Sequence, residues 1–93
     1  MAPPDVAVFD SSRPWALSAE VSLRDESFGA LAYDHGTRRL VFLKSPELAD
    51  LVAGLGRFES ADDALETLVP APARTAHRRA LAALARGGII RGR

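Results

Sequence analysis

The chain has ninety-three residues, 47% of them hydrophobic, with no cysteine and with twelve basic residues against twelve acidic ones. That length and composition fit one small globular domain with a modest core, burying roughly 60–65% of the unfolded surface. A disulfide framework and a thiolate zinc site are excluded, no apolar run reaches transmembrane length, and MAPPDVAVFDSSRP lacks the pattern of a signal peptide, so a cytoplasmic protein is expected.

Residues 1–14 hold three prolines and several small polar residues, which predicts a flexible N-terminal tail before a domain over 15–93. Val21 to Arg24 reads as a first short strand, with Trp15 as its earliest start. Phe28 to Tyr33 reads as a second strand, with Phe28, Ala30 and Ala32 on one face and Leu31 and Tyr33 on the other. Asp34-His35-Gly36 suits a hairpin connection with Gly36 at positive φ. Two registers are open, one setting Tyr33 opposite Arg38 and one setting it opposite Thr37. Arg38 to Leu43 is the third strand. The expected sheet is therefore a three-stranded antiparallel meander.

Helices follow. Ser45-Pro46-Glu47 combines a hydroxyl cap, proline at the first helical position and an acid at the positive end of the dipole. Leu48, Leu51, Val52 and Leu55 then repeat at helical spacing, and Gly54 and Gly56 mark the end. Ser60 with Asp63 three residues on opens a second helix, which Pro70 and Pro72 stop. A third helix runs from about Ala73 to Arg86 and ends at Gly87-Gly88. Its apolar residues form a narrow stripe of His77, Leu81 and Leu84 beside a shallow one of Ala73, Ala76, Ala80 and Ala83. Ile89-Ile90 reads as a short last strand or an apolar anchor. The fold class is α+β, a meander followed by three helices.

Charge is unevenly placed. From Ala71 onward there are six arginines and no acid, while the first seventy residues hold all twelve acids against six bases. Such a basic segment suits an acidic partner or forms a solvated helix face. Catalytic patterns are missing. His35 and His77 have no metal-ligand spacing, no serine sits in a nucleophile elbow, and Gly54-Leu55-Gly56 does not continue into a dinucleotide fingerprint. Neither enzymatic activity nor a cofactor is expected.

The segment VSLRDESFGALAYDHGTRRLVFLKSPELADLV resembles the mycofactocin precursor-peptide chaperones, small PqqD-like proteins also called RiPP recognition elements. Trp15-Ala16-Leu17, Arg24 to Leu31, Tyr33, Gly36-Thr37-Arg38 and Leu40 to Lys44 carry the likeness, and Leu84 to Ile90 agrees in character. The resemblance implies a winged helix-turn-helix-like fold. It also implies a non-catalytic chaperone that holds the leader of the mycofactocin precursor peptide and presents it to a radical SAM maturase.

A meander leaves its third strand at an edge, where free main-chain groups template another strand. The expected peptide groove comprises Arg39, Leu40, Val41, Phe42 and Leu43 on that strand with Arg74, His77, Arg78, Ala80, Leu81 and Leu84 on the third helix. Val41 is expected to offer an outward amide, and Arg74 and Arg78 to attract leader carboxylates. No membrane partner is implied, and a monomer or weak dimer is expected. The alternative is a small winged-helix DNA-binding protein using the basic third helix. The early strands, the acidic remainder and the absence of Asn and Gln weigh against nucleic acid.

Overall fold

The computed structural model describes residues 9–93. The chain order is β1 (Trp15–Leu17), β2 (Val21–Glu26), β3 (Gly29–Asp34), β4 (Leu40–Leu43), α1 (Pro46–Gly54), α2 (Ala61–Leu68), α3 (Arg74–Arg86) and β5 (Ile90–Gly92). Short 3-10 turns at Leu55–Arg57 and Ala71–Ala73 follow α1 and precede α3. The fold is α+β, with an antiparallel sheet ordered β2-β3-β4 followed by three helices. A second, two-stranded sheet joins β1 to β5 and brings the two ends of the described chain together. Ile89 and Ile90 are both buried, so the last apolar pair is strand and anchor at once.

Helix starts follow local chemistry. The Ser45 hydroxyl accepts the Leu48 amide at 3.0 Å and the Ser60 hydroxyl accepts the Asp63 amide at 3.1 Å, satisfying N–H groups that the helix itself leaves unpaired. Leu51, Val52 and Leu55 from the first helical stretch, Leu65 from α2, and Leu81 and Leu84 from α3 meet Ala30, Ala32 and Leu43 of the sheet in one core. Each large aliphatic side chain so buried contributes about 1.5–3 kcal/mol. Small residues on the inner face of β3 let the helices approach closely.

The N-terminal region differs from a wholly loose tail in its second half. Residues 1–8 lie outside the described residues. Beyond them, Phe9 packs on Trp15 with ring centroids 4.8 Å apart, and the Trp15 indole donates to the Asp10 carbonyl at 2.8 Å. The carbonyls of Arg13 and Ser11 accept the Ala61 and Asp62 amides at 3.1 and 2.8 Å, so this segment caps α2 from outside.

Both hairpins depart from expectation in informative ways. In the first, Glu26 pairs with Gly29, so Phe28 belongs to the two-residue connection and not to the strand. It stands 5.8 Å from Phe42 on the outer face, away from Ala30 and Ala32. In the second, Tyr33 pairs with Leu40, which corrects both anticipated registers. The loop is longer because Asp34 organises it. Its side chain accepts the Gly36 and Thr37 amides at 2.9 and 3.2 Å, and its carbonyl accepts the Arg38 amide at 2.7 Å. Those bonds, the Thr37 amide foremost, hold the Asp34 carboxyl below the usual carboxylate range. The left-handed position falls on Arg38, with φ of 66°, not on Gly36.

Candidate functional site

The sheet has two margins, β2 and β4, and they are chemically unlike. β2 reads VSLRDE and carries three charges; β4 reads LVFL and carries none. Charge on a margin blunts strand addition, so β4 is the receptive one. The hydrogen-bonding phase of β4 follows from its neighbours. The Asp34 amide donates to the Arg39 carbonyl at 2.9 Å, making Asp34 and Arg39 a hydrogen-bonded pair. Antiparallel ladders alternate, so Ala32–Val41 and Ala30–Leu43 are also bonded pairs, whereas Tyr33–Leu40 and Leu31–Phe42 are not. On the other flank of β3, the His35 amide donates to the Glu20 carbonyl at 2.8 Å, which fits the same alternation.

The main-chain groups of Leu40 and Phe42 therefore point away from the sheet. Val41 is committed to Ala32, which corrects the expectation of an outward amide there. Along this free margin, among the described residues, no other strand is paired.

Helix α3 flanks β4 and runs in the opposite direction. At one end, Nη1 of Arg39 lies 3.5 Å from where a Cβ on Gly87 would sit. At the other end, a cleft of about 160 Å³ is lined by Lys44, Ser45, Leu48, Ala76, His77 and Ala80. The small side chains of Ala76 and Ala80 make the helix side of this cleft shallow. His77 Nδ1 is 2.9 Å from the Ala73 carbonyl, and its buried Nε2 has no partner among the described residues. Such an atom costs about 1–3 kcal/mol.

The anticipated groove residues separate into distinct groups. Arg39, His77 and Ala80 lie along the β4–α3 passage, with Leu40, Val41 and Phe42 on the strand itself. Leu43, Leu81 and Leu84 are buried in the core. Leu40 and Phe42 are 54% and 55% exposed, and their side chains stand on the face opposite the helices. Sequence reasoning passed over Leu48, Lys44, Ser45 and Ala76 as cleft residues; Ala76 was legible in the alanine stripe, while Leu48 read as ordinary core.

Arg74 and Arg78 have structural duties. The Arg74 guanidinium donates to the carbonyls of Val69 (2.9 Å), Glu66 (3.0 Å) and Leu65 (3.3 Å), closing the end of α2. Arg78 bonds the Asp62 carboxylate at 3.1 Å. Arg74 is fully engaged on α2, whereas Arg78 makes one exposed ion pair there through Nη2. Arg74→Ala is expected to lower the unfolding free energy by about 1–3 kcal/mol, measured by urea denaturation. A loss below a few tenths of a kcal/mol, roughly the scale of an exposed contact, would contradict this assignment.

Among the described residues, no group of three or more His, Asp and Glu is placed to hold a metal ion, and no helix is long and apolar enough to cross a membrane. The family described as Peptide chaperone MftB matches residues 14–91. The peptide chaperone MftB of Mycobacterium ulcerans is 49% identical over 47 residues, which are 50% of this chain and 43% of that protein. The peptide chaperone MftB of Mycobacterium tuberculosis is 43% identical over 54 residues, 58% of this chain and 50% of that one. For Mycolicibacterium smegmatis the figures are 42% over 57 residues, 61% and 56%. The chain thus spans about half the length of the curated relatives it matches. No solved structure matches it. With 78 consecutive residues covered by the family match, from 14 to 91 inclusive, the chain belongs to the peptide chaperone MftB family.

Proposed function

We propose that this protein binds the leader of the mycofactocin precursor peptide as an added strand along β4 and presents it, without chemistry of its own, to a radical SAM maturase. The observation that carries this reading is the uncharged open margin of β4 running beside α3. An extended peptide there would bond the outward groups of Leu40 and Phe42. Its residues opposite Val41 and Leu43 would turn toward the helix side, and the His77–Ala80 cleft lies just beyond Leu43, at Lys44 and Ser45. The chaperone name of the relatives fits a holding role, and the maturase is the partner implied by the likeness to precursor-peptide chaperones.

Calorimetry with the synthetic leader at two salt concentrations tests the proposal. Backbone bonding with apolar anchors predicts saturable binding that weakens less than about tenfold between roughly 50 and 200 mM salt, whereas a protein neutralising six or more DNA phosphates loses about 10³-fold or more over that range. Absence of leader binding, or tighter and steeply salt-dependent binding to duplex DNA, would overturn it.

A further inference from the structure

Leu40 and Phe42 combine two properties. Their main-chain groups face the open margin, and their side chains stand on the outer, helix-free face of the sheet. Phe28 lies on Phe42 and is itself 42% exposed, while Leu31 and Tyr33 continue the apolar row on β3. Phe28, Leu40 and Phe42 are the exposed large hydrophobic side chains among the described residues, and they gather on one face. Beside Leu40 is a hollow of about 380 Å³ bordered by Ser22, Arg24, Leu31, Tyr33 and His35. Its one formal charge is offset, since Arg24 bonds Glu26 at 2.9 Å.

We infer that a peptide added to β4 is read on both faces of the sheet, with apolar side chains at its positions i and i+2 lying on Leu40 and Phe42 on the outer face. The inference rests on the strand-addition reading. Residues paired across a ladder share a face, so the peptide residues that bond Leu40 and Phe42 place their side chains beside those two. The intervening residue points to the opposite face. The outer face has no roof and accepts aromatic or long aliphatic groups. The inner cleft, about 160 Å³ and beside α3, holds a group no larger than about a benzene ring. The ligand class is thus an extended segment with bulky apolar residues two apart.

A second copy of the chain is a poorer occupant. Three strands about 4.8 Å apart and four to six residues long present only a few hundred Å², short of the roughly 800 Å² per partner of a stable interface.

The test uses the full chain with the synthetic precursor leader. Leu40→Ser and Phe42→Ser are each expected to weaken binding about tenfold by calorimetry, with only small changes in unfolding midpoint because both side chains are more than half exposed. Isotope-edited NOEs should link peptide residues i and i+2 to the side chains of Leu40 and Phe42. In a tryptophan scan of the leader, i and i+2 should tolerate the ring. Backbone NOEs between leader and β4 together with affinities within twofold for both variants would overturn this inference and leave strand addition standing. Missing backbone NOEs at β4 would remove both. Loss of a dimer in the variants with unchanged leader affinity would assign the face to self-association and overturn the inference.

Discussion

Replacing Phe42 with proline is expected to weaken leader binding about fivefold to thirtyfold relative to Phe42→Ala, corresponding to roughly 1–2 kcal/mol for one lost edge hydrogen bond and the ring's intrusion on the incoming strand. The comparison with alanine isolates the amide, because both variants lose the aromatic side chain. Proline is tolerated on a margin whose N–H faces away from the sheet. Its effect on the isolated fold should therefore be small. Val41→Pro should behave in the opposite sense. That amide bonds Ala32 within the sheet, so its removal strains the β3–β4 ladder and costs about 1–3 kcal/mol of stability. Calorimetry and urea denaturation on the same variants separate the effects. Equal affinities for Phe42→Pro and Phe42→Ala would mean that the amide makes no contact with the leader.

Gly29→Ala is expected to be the most damaging single-methyl change, lowering the unfolding free energy by at least about 3 kcal/mol. Gly29 has φ of 150°, and an added Cβ would overlap the Leu43 carbonyl oxygen and lie 2.8 and 2.9 Å from the carbonyl oxygen and amide nitrogen of Ser45. These obstacles are backbone atoms and cannot swing aside. Relief requires moving the end of β4 or the cap of α1, and the same movement distorts the Lys44–Ser45 end of the cleft. Gly88 is the control. It also has positive φ, of 78°, yet a Cβ there meets nothing within 4 Å, so Gly88→Ala should cost only about 1–2 kcal/mol of backbone strain. Urea midpoints for the two variants that differ by less than 1 kcal/mol, on the scale where a few tenths separate ordinary surface changes, would contradict the steric account.

The parts of this fold legible in the sequence are those encoded within a few neighbouring residues. Ser45 and Ser60 announced their helices because a cap is a short-range bond. The uncharged LVFL run announced a strand, and that strand stands at a margin of the sheet. The second hairpin was misread because Gly36 is the residue most tolerant of positive φ, while Asp34 accepts the amides of Gly36, Thr37 and Arg38 and so places the left-handed residue at Arg38 instead. Nothing local distinguishes those outcomes. The β1–β5 pairing joins residues at opposite ends of the described chain, and no spacing rule reports it. Arg74 looked free because its partners are main-chain carbonyls of α2, which leave no mark in residue identity. Leu40 and Phe42 share one strand face by alternation, but which face the helices cover depends on a register that only the assembled sheet defines.

Hydrogen exchange of the β4 amides, followed by NMR with and without the synthetic leader, addresses the mode of binding most directly. Slowed exchange at Leu40 and Phe42 on leader addition, with Val41 already protected in the free protein, is the predicted pattern. Leader binding that leaves the Leu40 and Phe42 amides exchanging as fast as before would contradict it.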